Sequence, residues 1–188
     1  MKARFLAVPV VVAALAAPAH AIIITYTANL NGPSESPPNA SPGTGFAQVD
    51  WDTVLNTMHV HATFSGLTGT TTASHIHAAT AVPLTGTAGV ATQTPTFSAF
   101  PLGVTSGVFD QTLDMTLASS YNPSYISANG GTAASAEAAL FAAINAGEAY
   151  LNIHTQTFGG GEIRGFLVPA PGSAVILGVG LLASRRRR

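Results

Sequence analysis

The sequence predicts an all-β domain, an antiparallel Greek-key sandwich or barrel with one short connecting helix. Two observations carry this prediction. Runs rich in β-branched and aromatic residues recur between clusters of Gly, Pro, Asn and Ser, as expected for short strands joined by turns. Within several of these runs apolar and polar residues alternate, the pattern of a strand with two different faces.

In chain order, strands are predicted at 22–30, 46–51, 57–64, 73–78 and 108–117. Two more lie on either side of the glycine turn at 159–161, the second of them over 162–168. The stretch 31–45 is predicted to be a turn-rich loop, and 80–107 a long loop that carries at most one short strand.

The single helix is predicted over 135–147. Ser135 is the expected N-cap, Glu137 lies near the positive end of the helix dipole, and Gly147 is the expected C′ residue. Its apolar stripe consists of Leu140, Phe141 and Ile144.

Residues 1–21 have the features of a secretory signal peptide: a charged start, a short apolar run, and small residues at Ala19 and Ala21 before the expected cleavage point. The alternative, a transmembrane helix, fits poorly because the run is short and Pro9 and Pro18 interrupt it. The folded domain is predicted over 22–168, and signal peptidase is the first expected partner.

Residues 169–188 form a second sorting signal, with a hinge at Pro169 and Pro171, an apolar stretch, and a terminal cluster of Arg185, Arg186, Arg187 and Arg188. This layout resembles the PEP-CTERM signal of Gram-negative bacteria, although Ala170 stands where that motif usually has Glu. The resemblance implies removal by an exosortase-type enzyme, transient membrane contact through both termini, and delivery to the periplasm, cell surface or extracellular matrix. A plain tail anchor is the alternative.

The charge of the predicted domain excludes one class of partner. Residues 22–168 contain one basic residue, Arg164, and eight acidic residues, a formal charge of −7. Binding of nucleic acid requires a stripe of Lys and Arg to neutralise phosphates, so a cation is the more natural partner. The absence of cysteine also excludes disulfides, thiolate metal sites and a cysteine nucleophile.

Histidines are the strongest candidates for chemistry. Two His-x-His pairs, His59 with His61 and His75 with His77, each place both rings on one face of a strand, about 7 Å apart. His59 and His61 are interpreted as part of a solvated face. His75, His77 and His154 are predicted to hold copper or zinc, with hydrogen-bonded structural histidines as the alternative.

Asn152, Glu162 and Arg164 are the residues predicted to surround this site, with Asn152 or Glu162 orienting a ligand. Other routes to catalysis find no support. Ser74 lies beside His75 without a nucleophile elbow, no glycine-rich phosphate loop opens a helix, and the carboxylates are scattered. A non-catalytic role is therefore favoured over an enzyme.

A Pro-Pro loop, FSGLTG, SHIH, a helix leading into AYLNIHT, and GGGEIRGFL follow one another in this chain. Together they resemble the CHRD domain over about residues 25–168. The resemblance implies an extracellular β domain whose role in bacteria is largely unassigned. The favoured function is a non-catalytic binding or matrix module, with an exopolysaccharide or a surface protein as the expected partner. In animals the domain accompanies growth-factor binding.

GLTG followed by His-x-His, and a later strand ending in His, is also similar to copper/zinc superoxide dismutase. This fainter resemblance implies copper ligands at His75, His77 and His154, with Arg164 near a substrate anion. No histidine lies between His77 and His154, so the bridging and zinc ligands of that family are missing. What the resemblance implies here is the sandwich and a mononuclear copper or zinc site of a redox protein, the alternative function.

Overall fold

The computed structural model describes residues 22–171. The predicted signal peptide and most of the predicted sorting tail, including its four arginines, lie outside the described residues. The strands are β1 Ile23–Asn31, β2 Thr44–Asp52, β3 Thr57–Ser65, β4 Thr71–His77, β5 Gly107–Asp114, β6 Tyr150–Thr155, β7 Ile163–Phe166 and β8 Val168–Pro169.

All strands join one antiparallel sheet in the order β4-β6-β7-β1-β2-β3-β5, with β8 also paired to β1. The sheet curves into a half-barrel, which confirms the predicted all-β class. After the β1-β2-β3 meander the chain crosses to the opposite edge to form β4. This crossing brings β4 beside β6, although about 70 residues separate them in the sequence.

Alternating residues of the strands build the core on the concave side of the sheet. In β1 and β2 the buried apolar positions are Tyr26, Ala28, Leu30, Ala47, Val49 and Trp51. Trp51 packs against Phe141 of the main helix, with ring centroids 5.1 Å apart. The helix therefore covers the core formed by the β1-β2-β3 part of the sheet.

Two helices are present among the described residues, α1 Pro123–Ala128 and α2 Ala133–Asn145, together with two short 3₁₀ turns. The prediction that Ser135 is the N-cap of α2 is wrong. Thr132 is the N-cap, and Ser135 completes a reciprocal capping box with it because its hydroxyl reaches back to the Thr132 backbone N–H. Gly147, with φ +70°, lies just after the C-cap as predicted. α1 was not predicted because six residues are too few to show helical periodicity.

The C-terminal end of the described chain stays attached to the sheet. Pro169, assigned from the sequence to a hinge, lies in β8 opposite Tyr26, and the Ala170 backbone N–H donates to the Thr25 carbonyl. Among residues 22–171, no helix is long and apolar enough to cross a membrane.

The β4-β6-β7 part of the sheet is buried on both faces. Five of the six residues of β6 are buried, so its alternation of apolar and polar residues does not mark a solvated face as expected. The long loop between β4 and β5 covers the outer side, and its backbone pairs with β4 through Ala91 and Phe97. The polar side chains of β4, β6 and β7 are therefore enclosed beneath a loop.

Substituting Ala for Gly165 in β7 is expected to lower the free energy of unfolding by about 2 kcal/mol. A Cβ atom at this position would collide with the Asn29 carbonyl of the neighbouring strand. Chemical denaturation measures the change. Gly160→Ala is the control because a Cβ there meets nothing within 4 Å. Equal stability of the two variants would contradict the close approach of β7 to β1.

Candidate metal centre

Three histidines meet in the enclosed space beneath the loop. His75 and His77 project from β4, and His154 projects from the adjacent strand β6. Their ring centroids are 5.2 to 5.7 Å apart, and one ring nitrogen from each lies within 4.8 Å of the others. The structure thus brings together the three side chains singled out from the sequence.

Each ring is held by a backbone carbonyl on one side. The carbonyl oxygens of Pro95, Ala88 and Gly159 lie 2.5, 3.0 and 3.0 Å from His75 Nε2, His77 Nδ1 and His154 Nδ1. A carbonyl only accepts hydrogen bonds, so each of these nitrogens carries the proton. The second nitrogen of every ring is then an unprotonated lone pair.

These second nitrogens, Nδ1 of His75 and Nε2 of His77 and His154, are buried, and no hydrogen-bond donor of the described chain reaches them. Leaving a buried acceptor without a donor costs about 1–3 kcal/mol. Three such acceptors in one cluster are a feature that folding alone does not account for. A shared cation would satisfy all three together.

Burial keeps these rings neutral. It is the main cause that lowers the pKa of His75, and it lowers the pKa of His77 to about 4. The pKa of His154 is lowered for the same reason, against the opposing effect of its bond to the Gly159 carbonyl. At neutral pH all three histidines are therefore in the form that binds a metal.

The three histidine nitrogens lie slightly further apart than they would around a bound ion. Three nitrogens at about 2.1 Å from a tetrahedral ion lie about 3.4 Å from one another, whereas those of the cluster extend to 4.8 Å. Binding therefore draws the rings inward by roughly 1 Å. The carbonyls that hold His77 and His154 belong to Ala88 and Gly159, which lie in loops rather than in strands, so the hydrogen bonds to these rings do not tie them to the sheet.

Tyr150 is a neighbour of the site that sequence analysis did not single out. Its ring is stacked on His77, with centroids 4.9 Å apart and an interplanar angle of 3°. Its position at alternate spacing with Asn152 and His154 on β6 was the available signal. The orienting carbonyls give no such signal, because every residue has one.

Of the three residues predicted to surround the site, none hydrogen-bonds to one of the three histidine rings. Asn152 lies opposite His75 in the β4-β6 register. Glu162 instead anchors the segment before β4: its carboxylate, fully buried, accepts from the Thr68 and Gly69 backbone N–H groups. The orienting role predicted for Glu162 is thus taken by backbone carbonyls.

Arg164 lies one step further from the histidines. Its guanidinium is over the Tyr150 ring, 4.6 Å from the centroid, and it donates to the carbonyls of Ser34 and Gly86. The Glu35 carboxylate is 3.7 Å away, and burial raises the pKa of Glu35 to about 7 in spite of this arginine. Arg164 is 4% exposed, so it is a buried cation rather than a surface anion trap.

His59 and His61 are separate from this cluster. They lie half-exposed on the outer face of β3, where Asp110 of the neighbouring strand binds both rings at 3.0 and 2.8 Å. The interpretation as a solvated face agrees with this placement.

A protein-family model described as the CHRD domain matches residues 26–167, and the chain belongs to this family. Domains of the family are generally extracellular binding modules. Comparison with curated proteins and with solved structures found no significant match.

Proposed function

We propose that this domain is a metal-binding module that holds one copper or zinc ion through His75, His77 and His154. One observation carries the proposal: three histidine rings from two adjacent strands come within ligand distance of one another, and each has a buried nitrogen without a hydrogen-bond donor. The donor atoms would be Nδ1 of His75 and Nε2 of the other two.

The fixed tautomers support an ion rather than a structural cluster. In a structural cluster the rings are expected to donate to one another or to nearby acceptors, so that no lone pair is left over. Here every N–H donates to a carbonyl, and the opposite nitrogen of each ring is buried without a donor. Carbonyls that hold the far nitrogen are also what orients histidine ligands in known metal sites.

Three neutral imidazoles suit copper and zinc among the common ions, and copper binds nitrogen donors more tightly than its neighbours in the first-row series. Copper would add one-electron redox chemistry to an exported binding module. A non-catalytic matrix role, with an exopolysaccharide or a surface protein as partner, stays a prediction from the sequence. So do export, the PEP-CTERM-like processing and the mature chain's final location.

Calorimetric titration of the purified protein with copper and with zinc tests the proposal. We expect one tight site per chain, and His77→Ala is expected to weaken binding at least a hundredfold because two donors remain. His59→Ala is the matched control, since it removes a histidine from the other His-x-His pair. No tight site in the wild type would return the three histidines to a structural role.

A further inference from the structure

The three metal ligands of the proposed site carry no charge. Its three rings are neutral, and among residues 22–171 no carboxylate belongs to the cluster. Glu162, the acidic residue that follows β6, directs its carboxylate to Thr68 and Gly69 instead. The charge of a bound ion would therefore not be offset by its ligands.

A buried cation lies beside this neutral set. Arg164 is over the same Tyr150 ring that stacks on His77, so one aromatic ring contacts both the cation and a proposed ligand. The positive potential of Arg164 thus reaches the site.

The counter-charge of Arg164 is incomplete. Glu35 approaches its Nε at 3.7 Å, and the other oxygen of Glu35 is buried with no donor. Because burial raises the pKa of Glu35 to about 7, this carboxyl group is only partly ionised at neutral pH. The surroundings of the three histidines therefore have a net positive charge.

We propose that the three-histidine site selects monovalent copper, Cu(I), over divalent ions, and that Arg164 sets this preference. The inference rests on the proposed function. Beside a buried cation and without an anionic ligand, the second charge of a divalent ion is repelled without compensation. Coordination number does not decide between the ions, since Zn²⁺ held by three histidines takes a water as its fourth ligand.

The test measures the affinities of the full chain for Cu(I), under anaerobic conditions, and for Zn²⁺, each in competition with a chromophoric chelator. We expect Cu(I) to bind more tightly. Arg164→Gln is expected to reduce the ratio of the two affinities about tenfold, the effect of one unit charge about 10 Å away at the screening typical of proteins. Arg164→Lys, which keeps the charge, is expected to leave the ratio close to that of the wild type.

A second variant keeps the test decisive if Arg164→Gln does not fold. Glu35→Gln removes the counter-charge and leaves Arg164 in place, so at pH 9 it is expected to raise the Cu(I) to Zn²⁺ ratio above that of the wild type. Tighter binding of Zn²⁺ than of Cu(I), or a ratio that none of these variants changes, would overturn the inference and leave the proposed function standing. Failure to bind either ion would overturn both.

Discussion

Glu162→Gln is expected to lower the free energy of unfolding by about 3 kcal/mol or more, because it places two buried hydrogen-bond donors against each other with no acceptor between them. One carboxylate oxygen of Glu162 accepts from Ser41 Oγ and the Thr68 N–H, and the other accepts from Thr155 Oγ1 and the Gly69 N–H. The hydroxyls could rotate to accept instead. The two backbone N–H groups cannot, so either orientation of the glutamine amide places an NH₂ group against a backbone donor.

Chemical denaturation at pH 7 measures this loss, and Glu137→Gln on α2 is the control. Glu137 is half-buried without a side-chain hydrogen bond, so its substitution is expected to change stability by less than about 0.5 kcal/mol. Wild-type stability of Glu162→Gln would contradict the anchoring role of this carboxylate.

The same carboxylate gives stability a definite pH dependence. Burial raises the pKa of Glu162, but its four hydrogen bonds lower it and prevail, so the net pKa is below the ordinary value. A carboxyl group with a lowered pKa in the folded state stabilises above its unfolded pKa and loses that contribution as pH falls through the folded value. This part of acid sensitivity is expected below about pH 4.5 and is expected to be absent in Glu162→Gln.

The strands could be predicted from the sequence because their signal is local. In β1 to β3 one face is buried and the other is solvated, so apolar and polar residues alternate along 23–31 and 57–65. The burial of the second face of β6 could not be predicted in this way. Its cover is the loop over 78–106, which shows no periodicity, and only the folded topology places that loop above β6.

For the site, residue types were predictable and partners were not. His75, His77 and His154 stand out in the sequence because imidazole is a common metal ligand. Two of them form a His-x-His pair in one predicted strand, and the third lies in another. The carbonyls of Ala88 and Pro95 that fix the tautomers carry no sequence signal. Glu162 was singled out from the sequence, but its partners could not be, because the two backbone amides that it binds lie more than 90 residues earlier in the chain.

Three segments singled out in the sequence, GLTG, the His-x-His of β4 and the strand β6, are linked in the structure by Glu162. The GLTG segment supplies the amides that Glu162 binds, and β4 begins two residues later with the strand that carries His75 and His77. Glu162 therefore ties the start of β4 to the end of the β6-β7 turn. His154 lies at the start of the same turn, near the end of β6. The anchoring carboxylate fixes the relative position of the two strands that supply the three histidines.

Bound metal is expected to raise the free energy of unfolding by about 4 kcal/mol when the free ion is a thousandfold above its dissociation constant. For a domain of this size the thermal midpoint would rise by about 10 °C. Because burial lowers the pKa of all three ligands, that of His77 to about 4, protons compete with the ion only at acidic pH. The rise should therefore persist between pH 8 and pH 6, and weaken as pH falls further through the lowered values.

Thermal unfolding with and without copper, at pH 8, 6 and 4.5, measures this effect in the wild type and in His154→Ala. Without metal, His154→Ala loses the hydrogen bond to the Gly159 carbonyl and the packing of its ring, so its own metal-free midpoint is the reference; with copper, it should lose most of the rise. His61→Ala, which alters an exposed ring bound to Asp110, should keep the rise in full. A purely structural cluster predicts instead that copper would raise the midpoint of neither protein.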